Sequence, residues 1–306
     1  MLEFEMVKNL SVPGDIVDVV LDTDAFNEID DQYAISYLLR SGDKLNTVAI
    51  YAAPFFGNGK SENPKDGMEK SYDEILKILT FNGREDLKKN VYKGSENFLY
   101  DETTPVISDA VNDLINRAMQ YSADKPLYVV SIGAITNIAS ALILNPEIAE
   151  RIVIVWLGGN APHMTGKKEF NLNQDTAAGR IVFGYDVPLV QVPCHGVTDN
   201  ITISEADVNY WLMGKSELNT YLAEKTIAEA NVYAKGRPWT RVLWDVVPIA
   251  WLLNDNDRFM TSTIIQAPIP NDDYLYSINP KGKLMRYINH VSRDNIMHDL
   301  ITKLNK

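Results

Sequence analysis

The sequence predicts an α/β protein: an open, doubly wound, mostly parallel sheet with helices on both faces and its active site at the carboxyl ends of the strands. Three observations carry this expectation. Short β-branched apolar runs alternate with amphipathic segments along the chain, the pattern of parallel strands joined by crossover helices. The first run, Ile16 to Leu21, is broken only by Asp18 and leads into Asp22-Thr23-Asp24, and a second acidic pair, Asp30-Asp31, opens a helical pattern. Polar residues also stand just after strands (Asp22, Asp24, Asn58 and Asn160), where ligands bind in such folds.

The elements follow in order. After the opening strand comes a helix with Ala34, Ile35, Leu38 and Leu39 at helical spacing, its two acids placed where the helix dipole favours negative charge. Asn46 to Ala53 reads as a second strand, and Pro54 to Pro64 as a Gly/Pro-punctuated loop. An amphipathic helix is expected over 68–81, a loop over 91–105 and a helix over 106–121. Pro126 to Ser131 is a third strand, followed by Ile132 to Asn137 and a helix to Leu144; Asn145-Pro146 stops it and Pro146 starts a short further helix. Arg151 to Leu157 is a fourth strand ending in Gly158-Gly159-Asn160, Asn173 to Tyr185 a helix and Val187 to Val192 a fifth strand. Helices are expected at 204–214, 217–231 and 243–254, then strands at 263–267, 273–277 and 284–289 and a final helix over 293–304.

The 306 residues suffice for one large α/β domain or two small ones. No repeat, low-complexity run or linker divides them, so a single domain over 1–306 is the simplest reading. A net charge of −12 argues against nucleic-acid or anionic-membrane partners and favours cation binding. The lone Cys194 excludes an intrachain disulfide and a Cys-based zinc site. The N-terminal MLEFEMVKNL does not read as a signal peptide, and no run approaches the ~18 apolar residues of a membrane span. A reducing, cytoplasmic setting is expected.

Four carboxylates at one strand end repel each other unless a cation neutralises them, and calcium takes six to eight oxygen ligands. Asp24 and Asp31, either side of a short loop, are placed to share one ion, with Asp22 and Asp30 in support. Taken singly, each aspartate also reads as a helix cap or turn residue; the DxD followed by DD favours the cation.

Leu21-Asp22-Thr23-Asp24, Ile29-Asp30-Asp31 and Ala34 resemble the amino-terminal signature of the nucleoside hydrolases, calcium-dependent N-ribohydrolases. Three later stretches agree in order. Ser131 to Ala139 (SIGAITNIA) is similar to the turn whose backbone carbonyl reaches the metal. Gly158-Gly159-Asn160 and Glu169-Phe170-Asn171, with Asp175 and Ala177-Ala178, resemble the ribose-binding segment, and Trp244-Asp245 the position of the last metal carboxylate. The resemblance covers residues 16 to 255.

The resemblance implies cleavage of the N-glycosidic bond of a ribonucleoside to free base and ribose, in nucleoside salvage, by a homodimer or homotetramer. It implies Ca2+ held by Asp24, Asp31, Asp245 and the carbonyl of Ile132. Asp24 would also take a proton from a calcium-bound water, whose pKa the ion lowers. Asp30, Asn160, Glu169 and Asn171 would bind ribose hydroxyls, with calcium on the 2′ and 3′ oxygens. The anionic shell of Asp24 and Glu169 would stabilise an oxocarbenium-like transition state.

The chain departs from the family pattern in two places. Between the acidic pairs the common Asp-Pro-Gly form is replaced by Ala25-Phe26-Asn27-Glu28-Ile29, two residues longer, with Glu28 expected to be exposed. Many members carry His before the last metal Asp, where it acts on the leaving base; here it is Trp244. A tryptophan there resembles the purine-preferring branch, in which the ring stacks on the base, a contact of roughly 0.5–1.5 kcal/mol beyond burial. The other reading is a core residue on the helix carrying Val247 and Trp251.

Tyr233, Arg237, Trp239 and Arg241 form an aromatic and basic patch in an acidic chain. Tyr233 and Arg237 share the four-residue spacing of a family segment that closes over the nucleobase, although Arg237 also reads as a solvated helix end. Asn58 matches an asparagine that supports the metal-ligating acids, or is a turn residue. The histidines 163, 195, 290 and 298 lack metal-ligand spacing, and Cys194-His195 lacks the base and oxyanion motif of a thiol enzyme. Two other readings stand beside the hydrolase: a non-catalytic calcium- and ribose-binding protein of the same fold, and a haloacid-dehalogenase-type phosphatase with Asp22 as nucleophile. The second leaves Asp30-Asp31, Glu169 to Asn171 and Trp244-Asp245 unexplained.

Overall fold

The computed structural model describes residues 3–164, 168–273 and 275–306. Strands run in chain order as β1 (Val17–Thr23), β2 (Leu45–Ala52), β3 (Val91–Lys93), β4 (Leu127–Ser131), β5 (Ile152–Leu157) and β6 (Leu189–Val192). Then come β7 (Thr202–Ser204), β8 (Thr240–Val242), β9 (Met260–Gln266), β10 (Ile269–Pro270), β11 (Tyr276–Ser277) and β12 (Leu284–Val291). The first helices are α1 (Glu3–Asn9), α2 (Asp30–Leu39), α3 (Pro64–Phe81), α4 (Asp109–Ala118), α5 (Thr136–Leu144) and α6 (Phe170–Gln174). They are followed by α7 (Thr176–Gly184), α8 (Glu205–Trp211), α9 (Glu217–Ala234), α10 (Val246–Leu252) and α11 (Arg293–Leu304).

The main sheet has the order β3-β2-β1-β4-β5-β6-β12-β9. Its pairings are parallel except β12 with β9. β1 lies between β2 and β4, so the chain winds outward from it in both directions, and a crevice opens at the carboxyl end of β1. Strand residues alternate between two cores: Val19, Leu21, Val130, Val153 and Val155 face one, while Val20, Val129, Ile154 and Trp156 face the other. Helices α2, α3, α9, α10 and α11 cover the first, and α4, α5 and α7 the second. The mostly parallel, two-faced sheet expected from the sequence is the one observed.

Local differences have local causes. The loop expected over 91–105 begins with β3, whose three residues pair with Ile50 to Ala52 and are too short to show a period. The helix expected over 173–185 is two helices, because Asp175 leaves helical geometry (φ −145°, ψ 80°) to cap α7 through Ala178 N–H. The strand expected over 273–277 includes Tyr274, which lies outside the described residues; β11 pairs with β10 nearby. No helix of the described residues is long and apolar enough to cross a membrane.

Candidate active site

All of α2 is buried, from Asp30 to Leu39, and no side chain caps its first turn. Its two leading acids stand where backbone N–H groups point outward, and Asp245 stands likewise at the start of α10. With Asp24, just beyond β1, they line one pocket of about 160 Å³ together with Ile132, Glu169, Asn171, His195 and Trp244.

Ligand oxygens of Asp30, Asp31 and Asp245 lie within 4.8 Å of one another. Asp31 accepts from Thr23 Oγ1 (2.5 Å), Asp30 from the Asp245 N–H (3.4 Å) and Asp24 from Asn27 Nδ2 (3.0 Å). Burial, and then repulsion among these acids, pushes the carboxyls of Asp24, Asp31 and Asp245 well above the usual carboxylate range. Burial likewise raises Asp30, to about 7, although Arg241 pulls it down. Asp30 Oδ1 is buried without a hydrogen-bond partner. An all-oxygen, acidic donor set with an unsatisfied buried oxygen fits a hard divalent cation.

Asp22 takes no part in this cluster. It faces the opposite side of β1, where Asn137 Nδ2 (2.7 Å) and Ser131 Oγ (3.2 Å) donate to it, and burial raises its carboxyl to about 7. The position required of a phosphatase nucleophile is therefore turned into the sheet.

Glu169 caps α6: its oxygens accept from the N–H groups of Gly159 (2.7 Å), Asn171 (2.8 Å) and Leu172 (2.8 Å). Burial raises its carboxyl, partly offset by those three donors. Asn171 Nδ2 donates to the carbonyls of Ile132 (3.2 Å) and Leu157 (2.9 Å), tying the ends of β4 and β5 and fixing the Ile132 carbonyl. Gly133 lets the Asp24 carboxylate pack close to this turn, since a Cβ there would stand 3.2 Å from Asp24 Oδ1.

The lengthened loop is anchored at every residue. Phe26 N–H donates to Ser71 Oγ (3.3 Å), Ile29 N–H to Glu229 (3.3 Å) and Gln32 Nε2 to the Ala25 carbonyl (2.7 Å). Asn27 receives Asn58 Nδ2 and passes the contact to Asp24, so Asn58 sits one residue behind the cluster, outside the pocket lining. Glu28 is not simply exposed: it lines the pocket and meets Arg241 at 2.9 Å.

Three other expected residues lie away from the pocket wall. Asn160 is buried, and its Oδ1 receives the His195 N–H (3.1 Å). Tyr233 and Arg237 are exposed at the end of α9, where Arg237 donates to the Tyr233 carbonyl (2.8 Å), a helix-end contact in place of a ligand contact. The cation beside the site is Arg241, 8% exposed, within 4.0 Å of Asp30 and 3.6 Å of Glu229 and stacked 5.3 Å from the Trp244 ring. Burial works against its charge, but Asp30, Glu28 and Glu229 hold its guanidinium above the ordinary value.

Arg241 had a readable signal: it is the one cation between Trp239 and Trp244, beside Val242 and Leu243. Asn27, Lys168 and His195 also line the pocket, and nothing in their spacing marks them. Cys194 lines it too, its thiol pushed well up by burial and by Glu169.

An open α/β sheet with a buried carboxylate cluster at its switch point defines a pocket whose donor set fits a hard cation. A family model described as inosine-uridine preferring nucleoside hydrolase matches residues 19–272, and the chain belongs to this family. Pyrimidine-specific ribonucleoside hydrolase RihA of Salmonella paratyphi A is 32% identical over 147 residues, 46% of this chain and 46% of the relative. The match thus spans about half the length of the curated relatives. A purine-preferring ribonucleoside hydrolase from Gardnerella vaginalis superposes with a TM-score of 0.75 at 23% identity, covering 94% of this chain and 98% of that one. A plant nucleoside hydrolase does so with a TM-score of 0.75 at 20% identity, covering 94% and 99%. At those identities the likeness shows the fold.

Proposed function

We propose that this protein hydrolyses the N-glycosidic bond of ribonucleosides, releasing free base and ribose, with Ca2+ held by Asp24, Asp31, Asp245 and the Ile132 carbonyl. The observation that carries the reading is the buried cluster of Asp24, Asp30, Asp31 and Asp245 in one pocket. When bound, the ion lowers the pKa of a water and fixes the ribose diol. Asp24, held by Asn27 and backed by Gly133, takes the proton from the attacking water. Asp30 and Asn171 line the pocket as partners for ribose hydroxyls, and Glu169, its oxygens already engaged by three N–H groups, adds negative charge facing the developing oxocarbenium. Asn160 acts one step back, through His195. Trp244 is the face on which the base stacks, and Arg241 behind it stiffens that face.

In this reading the chain is one domain that works as a cytoplasmic homodimer or homotetramer, without nucleic-acid or membrane partners. The test is reducing-sugar release from inosine by the wild type and by Asp24→Asn, which keeps oxygen ligands but loses the base. Turnover by the variant should fall by about 10²-fold or more with the fold intact. Near wild-type activity would sink the assignment. The lengthened loop favours one other reading, a calcium- and ribose-binding protein without turnover. It would be established by calcium binding without hydrolysis of purine, pyrimidine or aryl ribosides.

A further inference from the structure

A histidine that the family resemblance does not assign stands at the base end of the pocket. The chain leaves β6 through Pro193 into the turn Cys194–Thr198, where Gly196 (φ 91°) takes a left-handed conformation and reverses the backbone against the β5 loop. A Cβ at Gly196 would meet Ala161 at 2.8 Å and His163 Nε2 and Met164 at 3.0 Å, so only glycine allows this approach. The His195 N–H donates to Asn160 Oδ1 (3.1 Å), and its carbonyl accepts the Ala161 N–H (2.9 Å). The backbone of His195 is thereby fixed on both sides.

Its ring is fixed as well. Nδ1 lies 2.7 Å from Asp199 Oδ1, and the other Asp199 oxygen accepts the Gly196 N–H at 2.6 Å. Burial opposes the Asp199 charge, but the Gly196 N–H and His195 outweigh it and hold the carboxyl below its usual value. A carboxylate on Nδ1 fixes that nitrogen as the N–H side of the neutral ring, leaving Nε2 for a ligand. His195 lines the pocket and meets the Trp244 ring edge-on, with centroids 6.4 Å apart and planes at 88°. The charged groups around it are Asp199 on its own turn, Glu169 at the start of α6, Lys168 beside it, and Asp30 and Asp245 across the pocket, with the Cys194 thiol adjacent. His163 approaches from the β5 loop.

We infer that His195, oriented by Asp199, is the proton donor to the nucleobase leaving from the Trp244 face, a role that position 244 itself has no group to fill. The inference rests on the nucleosidase reading. The C1′–N bond breaks with its electron pair passing to the base, and the proton on His195 Nε2 goes to a base nitrogen. The water oxygen bonds to C1′ and its proton goes to Asp24. The imidazole is then reprotonated from solvent, to which Asp24 returns its proton, so one water is consumed for each base and ribose formed.

The test compares inosine, whose base needs a proton to leave, with 4-nitrophenyl riboside, whose leaving group does not. In His195→Gln, kcat/KM on inosine should fall by about 10²-fold or more while the aryl riboside changes by less than about 3-fold. Asp199→Asn, which leaves the imidazole in place, should show the same split at about 10-fold. Equal losses on both substrates in the two variants, or an unchanged rate on inosine, would overturn the role of His195. A wild type that cleaves neither substrate would overturn the nucleosidase reading itself, and this inference with it.

Discussion

Replacing Arg241 by Met isolates the charge that the sequence left unassigned beside the acid cluster. At 4.0 Å from Asp30, Arg241 attracts that carboxylate by about 4 kcal/mol at an effective dielectric of 20. The full amount is not lost on substitution, because Asp30 takes up a proton instead. Its folded carboxyl is already raised to about 7 by burial, with Arg241 pulling it down, and loses that pull in the variant. Below about pH 7 the cation-free folded protein holds this proton with or without Arg241, so that part of the contribution is absent. Above it, the difference grows by about 1.4 kcal/mol per pH unit and reaches about 2 kcal/mol at pH 8.5. The pair with Glu28, 42% exposed, adds little, and any loss from Glu229 adds a constant offset. With about 2.1 cal/mol/K of unfolding entropy per residue, the Tm gap between wild type and Arg241→Met should widen by about 3 °C from pH 5.5 to pH 8.5. The assay is thermal unfolding in chelator, since a bound cation would keep Asp30 ionised. A gap that stays constant or narrows as pH rises would refute this account of Arg241.

Two further outcomes follow from the same geometry. Trp244→Ala should weaken purine ribosides, through KM, by about 3- to 10-fold more than aryl ribosides, the equivalent of one stacking contact; equal losses in steady-state kinetics would count against stacking. Chelation should lower Tm, and calcium at a thousand times its Kd should restore about 4 kcal/mol. At one fixed calcium concentration the gain should be larger at pH 8 than at pH 6, because Asp24, Asp31 and Asp245 have raised folded carboxyls whose protons calcium must displace. The metal-free fold pays an increasing penalty as pH rises through that range. A calcium response absent at both pH values would remove the cation from the reading.

The acid cluster and the sheet were legible for a simple reason. A buried parallel strand must be apolar, so Asp22, Asp24, Asp30 and Asp31 stand out against Val19, Val20 and Leu21. Which acid turns inward was not legible, because side-chain direction at the strand end depends on partners as remote in sequence as Asn137. The patch around 233–241 was visible as composition, yet the four-residue spacing pointed to Tyr233 and Arg237. Burial by Glu28, Asp30 and Glu229 selects Arg241, and burial by segments far apart in sequence leaves no periodicity. His195 had no signal, because its partner Asp199 acquires meaning only once Gly196 bends the chain back. The break at Asp175 was within reach, as Asp before Thr-Ala-Ala is a helix-start pattern.

The contact between Asp30 and the Asp245 backbone joins residues 215 positions apart. Asp24, Asp30 and Asp31 leave the ribosome long before Asp245 and can cluster without it, but the acid cluster is complete only when α10 docks beside α2. Closing so large a loop is a late and slow event. A cation that needs both sides has little hold on the nascent chain or on an early collapsed state, and its binding energy appears after the folding barrier. Calcium should therefore lengthen the lifetime of the folded protein by slowing unfolding, while leaving the folding rate nearly unchanged.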